Sequence, residues 1–401
     1  MSNGAIFQLK AVGLQDTYLT GTPQHNFLRQ TYKQYINFSQ DQIDVYPKET
    51  VDFGKKFSIE IPRFGDFVNK IFLYIKLPKL VVKSGEFVGW TNNIGHAIIN
   101  TVKLEIGGCI IDTHYGLYMS LWEELTAREP KENLLLGKYA HPSATNKNAN
   151  VDTEYYIPMT FWFCQNLGAS LPLFALRYNK VVLHFDLKRF DECIAYDGLI
   201  PPDIVSILDT KIVANYIYID DLERQKMVDT EFTFLINQIQ AVVDVDIRGG
   251  GDHRIELPFN HPCSELIWIF REEDSEFNND WFNFSIRAGA IGAAILPFMS
   301  EARLVLDGLE RNNSTSGSVL SRVNILTYHS SRSEKDVYCM PFCANPEKWF
   351  PTGSLNFSKV AHTTLNFNLY KGVRPVKANI FARNYNVLRI KNGEIFLAFS
   401  S

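Results

Sequence analysis

KKFSIEIP (residues 55–62) and NKIFLYIKLPK (residues 69–79) are two neighbouring stretches in which apolar side chains recur at every second position. In the first, Phe57, Ile59 and Ile61 alternate with polar residues, which predicts a β-strand with one buried face. The second is apolar on both faces, so we expect it to be covered on one side by a sandwich core and on the other by a further layer of protein. Both stretches favour an all-β chain.

The same period of two recurs along all 401 residues. The 29 Phe and 18 Tyr add to this signal, because aromatic side chains favour the half-buried surface of a strand. Glycines at 107–108 and 249–251 predict turns, the second within a hairpin. Many short strands punctuated by turn residues predict sandwiches or barrels. The further alternating sets are Val102/Leu104/Ile106, Val181/Leu183/Phe185/Leu187, Ile212/Ala214/Tyr216/Tyr218, Val243/Val245/Ile247, Ile255/Leu257/Phe259, Leu266/Trp268/Phe270, Leu304/Leu306, Leu365/Phe367/Leu369, Ala378/Ile380/Ala382 and Ile395/Leu397/Phe399.

Two segments depart from this alternation. Residues 116–128 carry a leucine at every fourth position, Leu117, Leu121 and Leu125, and predict a helix that a following proline ends. The polar stretch DDLERQKMVD (220–229) predicts a short helical linker. Strand-rich sequence of similar length lies on either side of it, which indicates two tandem β-sandwiches with their boundary in this linker.

Composition and charge exclude several classes of function. A net charge of −4 and a pI near 6.2 give no strong positive field, so direct binding of nucleic acid is not expected. The sequence lacks an apolar run of about 18 residues that would predict a transmembrane helix, and its start lacks a signal-peptide pattern. The six cysteines are scattered and mostly lie in apolar runs, so we expect buried thiols made in a reducing compartment.

No constellation of residues predicts catalysis. The closest cysteine pair, Cys339 and Cys343, lacks a second pair of ligands nearby, so a zinc site is not expected. GGGDHR (249–254) lacks the spacing of a phosphate-binding loop. The histidines in or near predicted strands form no metalloprotease pattern; they are His114, His184 and His329. We therefore expect no enzyme activity, and we predict no catalytic, cofactor-binding or metal-binding residues.

Other polar features have a functional and a structural interpretation. Neighbouring carboxylates are interpreted as solvated loop charges rather than acid–base pairs; they are Asp191 with Glu192 and Glu272 with Asp274. Basic residues interleaved with aromatics are interpreted as interface and turn chemistry rather than a nucleic-acid groove; they are Arg29, Lys33, Lys55, Lys56, Arg63 and Lys70. Five asparagines lie in glycosylation sequons. Asn37 and Asn356 are interpreted as turn residues, whereas Asn283, Asn312 and Asn313 are the better candidates for exposed loop positions.

Three segments at the ends of the chain carry a family resemblance: LQDTYLTGTPQHNFLRQTYKQYINFS (14–39), FPTGSLNFSKVAHTTL (350–365) and NIFARNYNVLRIKNGEIFLAFSS (379–401). In order, they resemble the opening, a Pro-x-Gly-x-x-Asn-Phe-Ser-(Arg/Lys) segment and the C-terminal strands of the major capsid proteins of nucleocytoplasmic large DNA viruses. The matching residues are Gln15, Asp16, Tyr18, Leu19, Thr20, Gly21, Pro23, Gln24, Phe27, Tyr32, Asn37, Phe38, Pro351, Gly353, Asn356, Phe357, Ser358, Lys359, Ala382, Asn384, Tyr385, Asn386, Leu388, Arg389 and Gly393.

The resemblance implies a double jelly roll, that is, two tandem eight-stranded jelly-roll β-sandwiches with short helices in the loops. We expect an N-terminal arm at 1–30, a first jelly roll at 31–222 and a second at 223–401. The implied function is that of a structural capsid protein whose homotrimers form pseudo-hexagonal capsomers of an icosahedral virion, assembled in the host cytoplasm. The expected partners are neighbouring capsomers and the minor capsid and penton proteins.

Two alternative functions stay open. One is a minor capsid or assembly paralogue of the same fold. The other is a jelly-roll glycan-binding attachment protein that uses loop aromatics, because a fold alone does not determine function; these aromatics are Trp281, Phe282 and Phe284.

The two ends of the chain carry further expectations. The arm shows no helical period and is expected to be extended, with apolar residues between 5 and 14 that suit contact with internal proteins or a membrane vesicle. Packing of the arm on its own subunit also stays open. Arg383 and Arg389 alternate with apolar strand positions, and we expect both to contact carboxylates or backbone carbonyls between the two jelly rolls.

Overall fold

The structure is a computed structural model that describes most of the chain. The described residues are 3–20, 22–24, 28, 34–83, 85, 87–127, 134–138, 150–196, 199–228, 231–273, 279–286, 297–331, 333, 335–391 and 393–399. Across these residues no helix has both the length and the apolar character needed to cross a membrane. The chain divides into two compact units, Met1–Asn37 and Phe38–Ser401.

The described residues 3–20 of the first unit are mostly helical, so the expectation of an extended arm is wrong. Helix α1 spans Asn3–Lys10, and a 3-10 turn at Leu14–Asp16 leads into helix α2 at Thr17–Thr20. Residues 5–10 include alanine, glutamine, leucine and lysine, whose helix propensity is high even without a regular apolar period. The exposed apolar side chains of this unit include Ile6, Phe7, Leu9, Val12, Leu14 and Leu19.

The second unit begins with two four-stranded antiparallel sheets. In spatial order the first sheet contains β1 (Phe38–Val45), β11 (Asp209–Ile219), β3 (Phe67–Leu77) and β7 (Thr153–Pro158). The second sheet contains β2 (Lys56–Ile61), β9 (Val181–Leu187), β5 (Ile99–Ile106) and β6 (Cys109–Tyr115). Short strands are added by β8 (Leu171–Pro172) beside β3 and by the pair β4 (Val88–Trp90) and β10 (Ile194–Tyr196).

Two further antiparallel sheets follow in the C-terminal half. The third sheet contains β12 (Phe232–Ile247), β21 (Val376–Lys391), β14 (Pro262–Glu272) and β18 (Tyr338–Pro341). The fourth contains β13 (Gly251–Glu256), β20 (Thr363–Leu369), β15 (Met299–Leu306) and β16 (Leu309–Glu310). Short strands at their margins are β17 (Thr315–Ser316), β19 (Leu355–Asn356) and β22 (Glu394–Leu397).

The strand order is the same in the two halves. When the eight main strands of each half are counted along the chain, one sheet has the order 1-8-3-6 and the other 2-7-4-5. These interleaved orders are those of a jelly roll, in which the strands of each half alternate between two sheets. The fold is therefore a double jelly roll, as the resemblance implies.

Helices occupy the connections between strands. They are α3 (Ile94–Ala97), α4 (Gly116–Thr126), α5 (Trp162–Gln165), α6 (Asp221–Val228), a π-helical segment at Val319–Val323 and α7 (Asn324–Tyr328). Short 3-10 turns lie at Leu134–Leu136, Leu167–Ala169, Leu173–Ala175, Phe190–Glu192 and Phe357–Lys359. The predicted helix at 116–128 and the predicted linker helix are confirmed by α4 and α6.

The alternation places most of the predicted side chains in the core, but Val243 and Phe399 are 38% and 58% exposed. Phe57, Ile59 and Ile61 on β2 are each at most 3% exposed, in agreement with the prediction. On β12, Asp244 has a φ of +53° and the register with β21 shifts nearby, so Val243 turns outward instead of sharing a face with Val245 and Ile247.

The two glycine turns also differ. Gly107 and Gly108 close the hairpin between β5 and β6. The glycines at 249–251 instead connect β12 to β13, which lie in different sheets, so the expected hairpin is replaced by a crossover between sheets. A Cβ on Gly250 would lie 2.5 Å from the carbonyl oxygen of Tyr370, so the close approach of the two backbones requires glycine there.

Two buried apolar clusters form the core. One fills the first jelly roll and continues into the second through residues such as Ile267, Ile269 and Phe381. The other fills the second jelly roll and includes Leu266 and Trp268. Strand β14 therefore points alternate side chains into two different cores, which explains why it is buried on both faces.

Candidate functional site

The two jelly rolls meet along the edges of β6 and β12, where side chains satisfy the backbones of both strands. The Ile239 N–H donates to Asp112 Oδ1 over 3.1 Å, and the Gln238 amide donates to the Ile111 carbonyl. Asp112 Oδ2 lies 2.8 Å from His114 Nε2. An unpaired strand edge is a template for aggregation, and these contacts close both edges within one chain.

Helix α4 of the first jelly roll lies against the outer face of the second jelly roll, opposite that sandwich's own core. The ring of Tyr118 packs 5.5 Å from the ring of Phe381, and the indole of Trp122 meets the ring of His329 edge-on at 6.2 Å. The helix therefore joins the two sandwiches through a mostly aromatic contact.

Arg383 fastens the same joint. Its guanidinium lies 4.2 Å from the ring centroid of Trp122 and donates to the carbonyl of Pro346 and to Gln165 Oε1. Trp122 and Gln165 belong to the first jelly roll, so the predicted contact of Arg383 between the jelly rolls is confirmed. The side chain of Arg389 is exposed on β21, and for this residue the contact stays a prediction.

A buried cluster of Glu265, His329 and Cys339 lies next to this joint. Glu265 Oε2 is 3.0 Å from His329 Nε2 and 3.5 Å from Cys339 Sγ, and the sulfur is 3.5 Å from His329 Nε2. On the other side of the ring, His329 Nδ1 lies 3.3 Å from Glu347 Oε1. Cys339 thus has a histidine and a carboxylate neighbour, which are 10 and 74 residues away in the sequence.

The protonation of this cluster follows from burial and charge. Burial disfavours a charged His329, but Glu265, Cys339 and Glu347 together raise its pKa to about 12. Burial raises the pKa of the Cys339 thiol to about 12. In the absence of other ligands, an imidazolium held between two carboxylates is therefore the stable arrangement.

A second ionic cluster joins α4 to the second jelly roll. Glu124 Oε2 lies 3.1 Å from Lys138 Nζ and 3.5 Å from Lys335 Nζ. Burial alone would raise the pKa of Glu124, but the two lysines lower it. Burial in turn lowers the pKa of Lys335. Because removal of one partner would leave a buried charge, this cluster fixes the joint more than it adds net stability.

A cavity of about 470 Å³ opens between the two jelly rolls. Lys188 Nζ lies 3.1 Å above the ring of Trp281, and the Arg271 guanidinium lies 5.4 Å from the same ring. Burial, and then the charge of Arg271, lower the pKa of Lys188 to about 8. The indole N–H of Trp281 donates to the Glu192 carbonyl. Trp281 therefore connects two loops, and its ring is covered by cationic side chains instead of being free to stack on a sugar ring.

Comparison with known proteins identifies the family. A family model described as the major capsid protein N-terminus matches residues 26–220, and one described as a large eukaryotic DNA virus major capsid protein matches residues 223–395. A major capsid protein of Pyramimonas orientalis virus is 30% identical over 99% of this chain and 100% of its own length. The chain belongs to the major capsid protein family of large eukaryotic DNA viruses.

Two further comparisons agree with this capsid family. A major capsid protein of Phaeocystis pouchetii virus is 28% identical over 99% of this chain and 100% of its own length. The quasi-atomic model of the PBCV-1 virus capsid superimposes with a TM-score of 0.80 at 24% identity, covering 94% of this chain and 100% of that one, which shows a shared fold. This capsid family member is a structural component of a virion shell.

The carboxylate pairs of the capsid protein have different outcomes. Asp191 is largely exposed and pairs with Arg189, and Glu192 accepts the Arg189 N–H, so both are confirmed as loop charges. Glu272 is buried on β14, so its interpretation as a solvated loop charge is wrong. Asp274 lies outside the described residues.

Most of the sequon asparagines form hydrogen bonds within their own turns or loops. Asn356 accepts the Ser358 N–H at the start of a 3-10 turn, which confirms the predicted turn. The half-buried amides of Asn283 and Asn312 are held by hydrogen bonds within their loops. The side chains of Asn37 and Asn313 are exposed, so Asn313 is the loop sequon best placed for modification.

The basic set and the loop aromatics do not form a ligand surface among the described residues. Arg63 donates to the carbonyls of Arg177 and Asn179, which is the turn chemistry expected of it. Lys56 pairs with Asp186, Lys55 and Lys70 are exposed, and Arg29 and Lys33 lie outside the described residues. Phe282 and Phe284 are buried, which removes two of the three aromatics of the glycan-binding alternative.

The capsid protein exposes an apolar stripe on its second jelly roll. Val319, Val323 and Leu326 follow one another on one side of the π-helical segment and α7, and they are 38%, 53% and 59% exposed. This helix connects β16 to β18, the fifth and sixth main strands of its half, just as α4 connects β6 to β7. Contiguous exposed apolar surface marks an interaction site.

Proposed function

We propose that this capsid protein is the principal shell subunit and forms homotrimers with a pseudo-hexagonal outline. The observation that carries the proposal is the joint inside the chain, where the helix of the first jelly roll covers the outer sheet face of the second. Three copies contribute six jelly rolls of one topology, which is the number that a pseudo-hexagonal outline needs.

Each jelly roll also has a surface that corresponds to one side of this joint but makes no such contact within the chain. These two surfaces support head-to-tail assembly of separate copies. The second jelly roll presents its own helix with the apolar stripe of Val319, Val323 and Leu326. The corresponding outer sheet face of the first jelly roll carries half-exposed aromatics, among them Phe72 and Tyr156. A second copy would bring this stripe onto this face and repeat the internal contact. A repeated head-to-tail contact closes into a ring of three when each copy is rotated by a third of a turn from the last.

Sedimentation velocity at micromolar concentration tests the proposal. We expect a single species of three times the 45.9 kDa chain mass for the unchanged protein. Val323→Glu and Tyr156→Glu, on the two halves of the contact, should each shift it to monomer, because a charge would be buried without a partner. Leu309→Glu is the matched control, since Leu309 is 76% exposed at the start of β16, outside both halves of the contact.

The possible outcomes distinguish a wrong oligomeric state from a wrong assignment of the contact surfaces. A monomeric unchanged protein would contradict the trimer. A trimer that persists in both charge variants would leave the trimer standing and reject the surfaces assigned to it.

We further propose that the N-terminal arm contacts internal proteins or a membrane vesicle on the inner side of the shell. The exposed apolar side chains of α1, such as Phe7 and Leu9, support this role. Deletion of residues 1–20 should give soluble trimers that fail to form closed shells in an assembly assay. Normal shells from the deleted chain would exclude this role.

The remaining parts of the function are proposals of the same kind. We propose contacts with neighbouring capsomers and with minor capsid and penton proteins, and a division at 1–30, 31–222 and 223–401, which the position of α6 between the two sandwiches supports. A structural rather than catalytic role is supported by the burial of Glu265, His329 and Cys339. Quantitative mass spectrometry of virions distinguishes the major protein, expected as the most abundant chain, from a minor paralogue.

A further inference from the structure

The three donor atoms of the Glu265–His329–Cys339 cluster form a triangle of specific dimensions. Its sides are 3.0 Å from nitrogen to oxygen, 3.5 Å from sulfur to oxygen and 3.5 Å from sulfur to nitrogen. A tetrahedral zinc ion, about 2.0 Å from oxygen and nitrogen and about 2.3 Å from sulfur, separates oxygen and nitrogen by about 3.3 Å and sulfur from either by about 3.5 Å. The donor atoms therefore lie close to the positions of one face of a zinc coordination tetrahedron.

We propose that the chain binds one Zn²⁺ between Glu265 Oε2, His329 Nε2 and Cys339 Sγ, as a structural metal site. Each residue offers a ligand atom of a type that zinc prefers, and all three are buried. The second carboxylate oxygen, Glu265 Oε1, is buried without a hydrogen-bond partner. Coordination by both carboxylate oxygens would give that atom a partner, and a water is the other candidate for the fourth position.

A second carboxylate orients the histidine as it does in known zinc sites. Glu347 Oε1 lies 3.3 Å from His329 Nδ1, the ring nitrogen that faces away from the proposed metal. Glu347 is itself held by the backbone N–H of Ser330 over 2.6 Å. An outer carboxylate of this kind fixes the ring and strengthens the metal bond.

The charges also balance. A divalent zinc ion with the Glu265 carboxylate, a Cys339 thiolate and a neutral His329 gives a site with no net charge, which suits a buried position. Zinc displaces one proton from the thiol and one from the imidazolium, so binding is best measured at mildly alkaline pH.

The site would fasten three elements of the second jelly roll. Glu265 lies on β14, Cys339 lies on β18, and His329 ends α7. Since α7 carries part of the exposed apolar stripe, the metal would hold that surface in place. This inference concerns the chain itself and does not depend on the oligomer proposed above.

The first experiment measures zinc by elemental mass spectrometry in full-length protein made with Zn²⁺ and dialysed. We expect about one zinc per unchanged chain and less than a tenth of that in Cys339→Ala. Cys263→Ala is the matched control, because Cys263 is an equally buried thiol of the same sandwich whose sulfur donates only to the backbone carbonyls of Asn260 and His261. Equal zinc in the two variants, or less than a tenth of an equivalent in the unchanged chain, would overturn the proposal.

A second experiment does not depend on the folding of a variant. Co²⁺ added to the metal-free unchanged protein should give the charge-transfer absorption of a cobalt–thiolate bond, and Zn²⁺ should displace it. Glu347→Gln should retain the site but weaken zinc about 10- to 100-fold, as loss of an outer carboxylate does. Absence of the thiolate band in the unchanged chain would show that His329 is held by protons alone and would reject the metal.

Discussion

The two jelly rolls share one strand order but differ at the outer face of the corresponding sheet. β3 and β14 are the third strands of their halves, and each has 11 residues. On β3 the outward positions include an exposed Lys70 and a half-buried Phe72, whereas β14 is buried at every position after Pro262. One topology thus supports an open surface in the first jelly roll and a surface closed by the chain itself in the second.

The closed surface is also where charges are buried. Glu265 and Arg271 lie on the side of β14 that faces the first jelly roll, and both have oppositely charged or hydrogen-bonded neighbours. Charges survive burial only when paired, and the partners of these two, His329 and Asp244, both belong to the second jelly roll itself. Each of the following substitutions tests how far the two halves depend on one another or resemble one another.

The largest effect is expected for Arg383→Ala, which removes the residue shared by both halves. The side chain loses its contact with Trp122 and its bonds to Pro346 and Gln165, and we expect a loss of about 4 kcal/mol in the free energy of unfolding. Arg389→Ala, on the same strand but exposed, should stay within about 0.5 kcal/mol. Chemical denaturation measures both, and equal effects would show that the joint contributes little.

The next effect tests how closely the halves correspond. A Cβ on Gly116, at the start of α4, would lie 2.2 Å from the carbonyl oxygen of Ile99, and a Cβ on Gly317, near the second helix, would lie 2.2 Å from that of Met299. Ile99 and Met299 are the first residues of the fourth main strand in their halves. Each jelly roll therefore requires glycine at the same point of its fold.

We expect Gly116→Ala and Gly317→Ala to cost similar amounts, about 3 kcal/mol each, because backbone would have to move in both. Gly168→Ala is the control, since a Cβ there would meet only the Asn166 side chain, 3.7 Å from its Oδ1, and no backbone atom within 4 Å. Thermal unfolding monitored by circular dichroism gives all three values. A mild effect at only one of the two glycines would break the correspondence.

The smallest effect is confined to the second jelly roll and depends on pH. Burial raises the pKa of Asp336 to about 6, against the opposing charge of Arg322. The folded chain therefore holds this proton up to a higher pH than the unfolded chain, and stability decreases as pH rises from about 4 to 6. Asp336→Asn should remove that slope and add on the order of 1 kcal/mol at pH 7, with no gain below pH 4. Melting curves across this range test it, and a pH-independent gain would assign the effect to packing.

Most of the fold followed from local pattern, because burial in a strand repeats every two residues and can be read from neighbouring positions. The sets on β2, β5 and β9 are examples. The bulge at Asp244 was missed because it depends on pairing with β21, which no local pattern reveals. Helix α1 escaped prediction because its residues have high helix propensity but no regular apolar period.

The buried polar cluster escaped prediction for a different reason. Glu265 meets His329 and Cys339 across 64 and 74 residues of sequence, so no spacing rule applies. One signal was available, since Glu265 is a lone carboxylate directly before the apolar run LIWIF (266–270). A charge next to such a run requires a partner from elsewhere in the chain, although the sequence does not say which.

The closed edges of β6 and β12 have a mechanical consequence. Because Asp112, Gln238 and Arg383 tie the sandwiches together side by side, neither can open without breaking contacts in the other. The pair therefore behaves as one cooperative block, and calorimetry should record one transition rather than two. In a shell under internal pressure, such a block would transmit force to neighbouring subunits, because its own two sandwiches would not separate first.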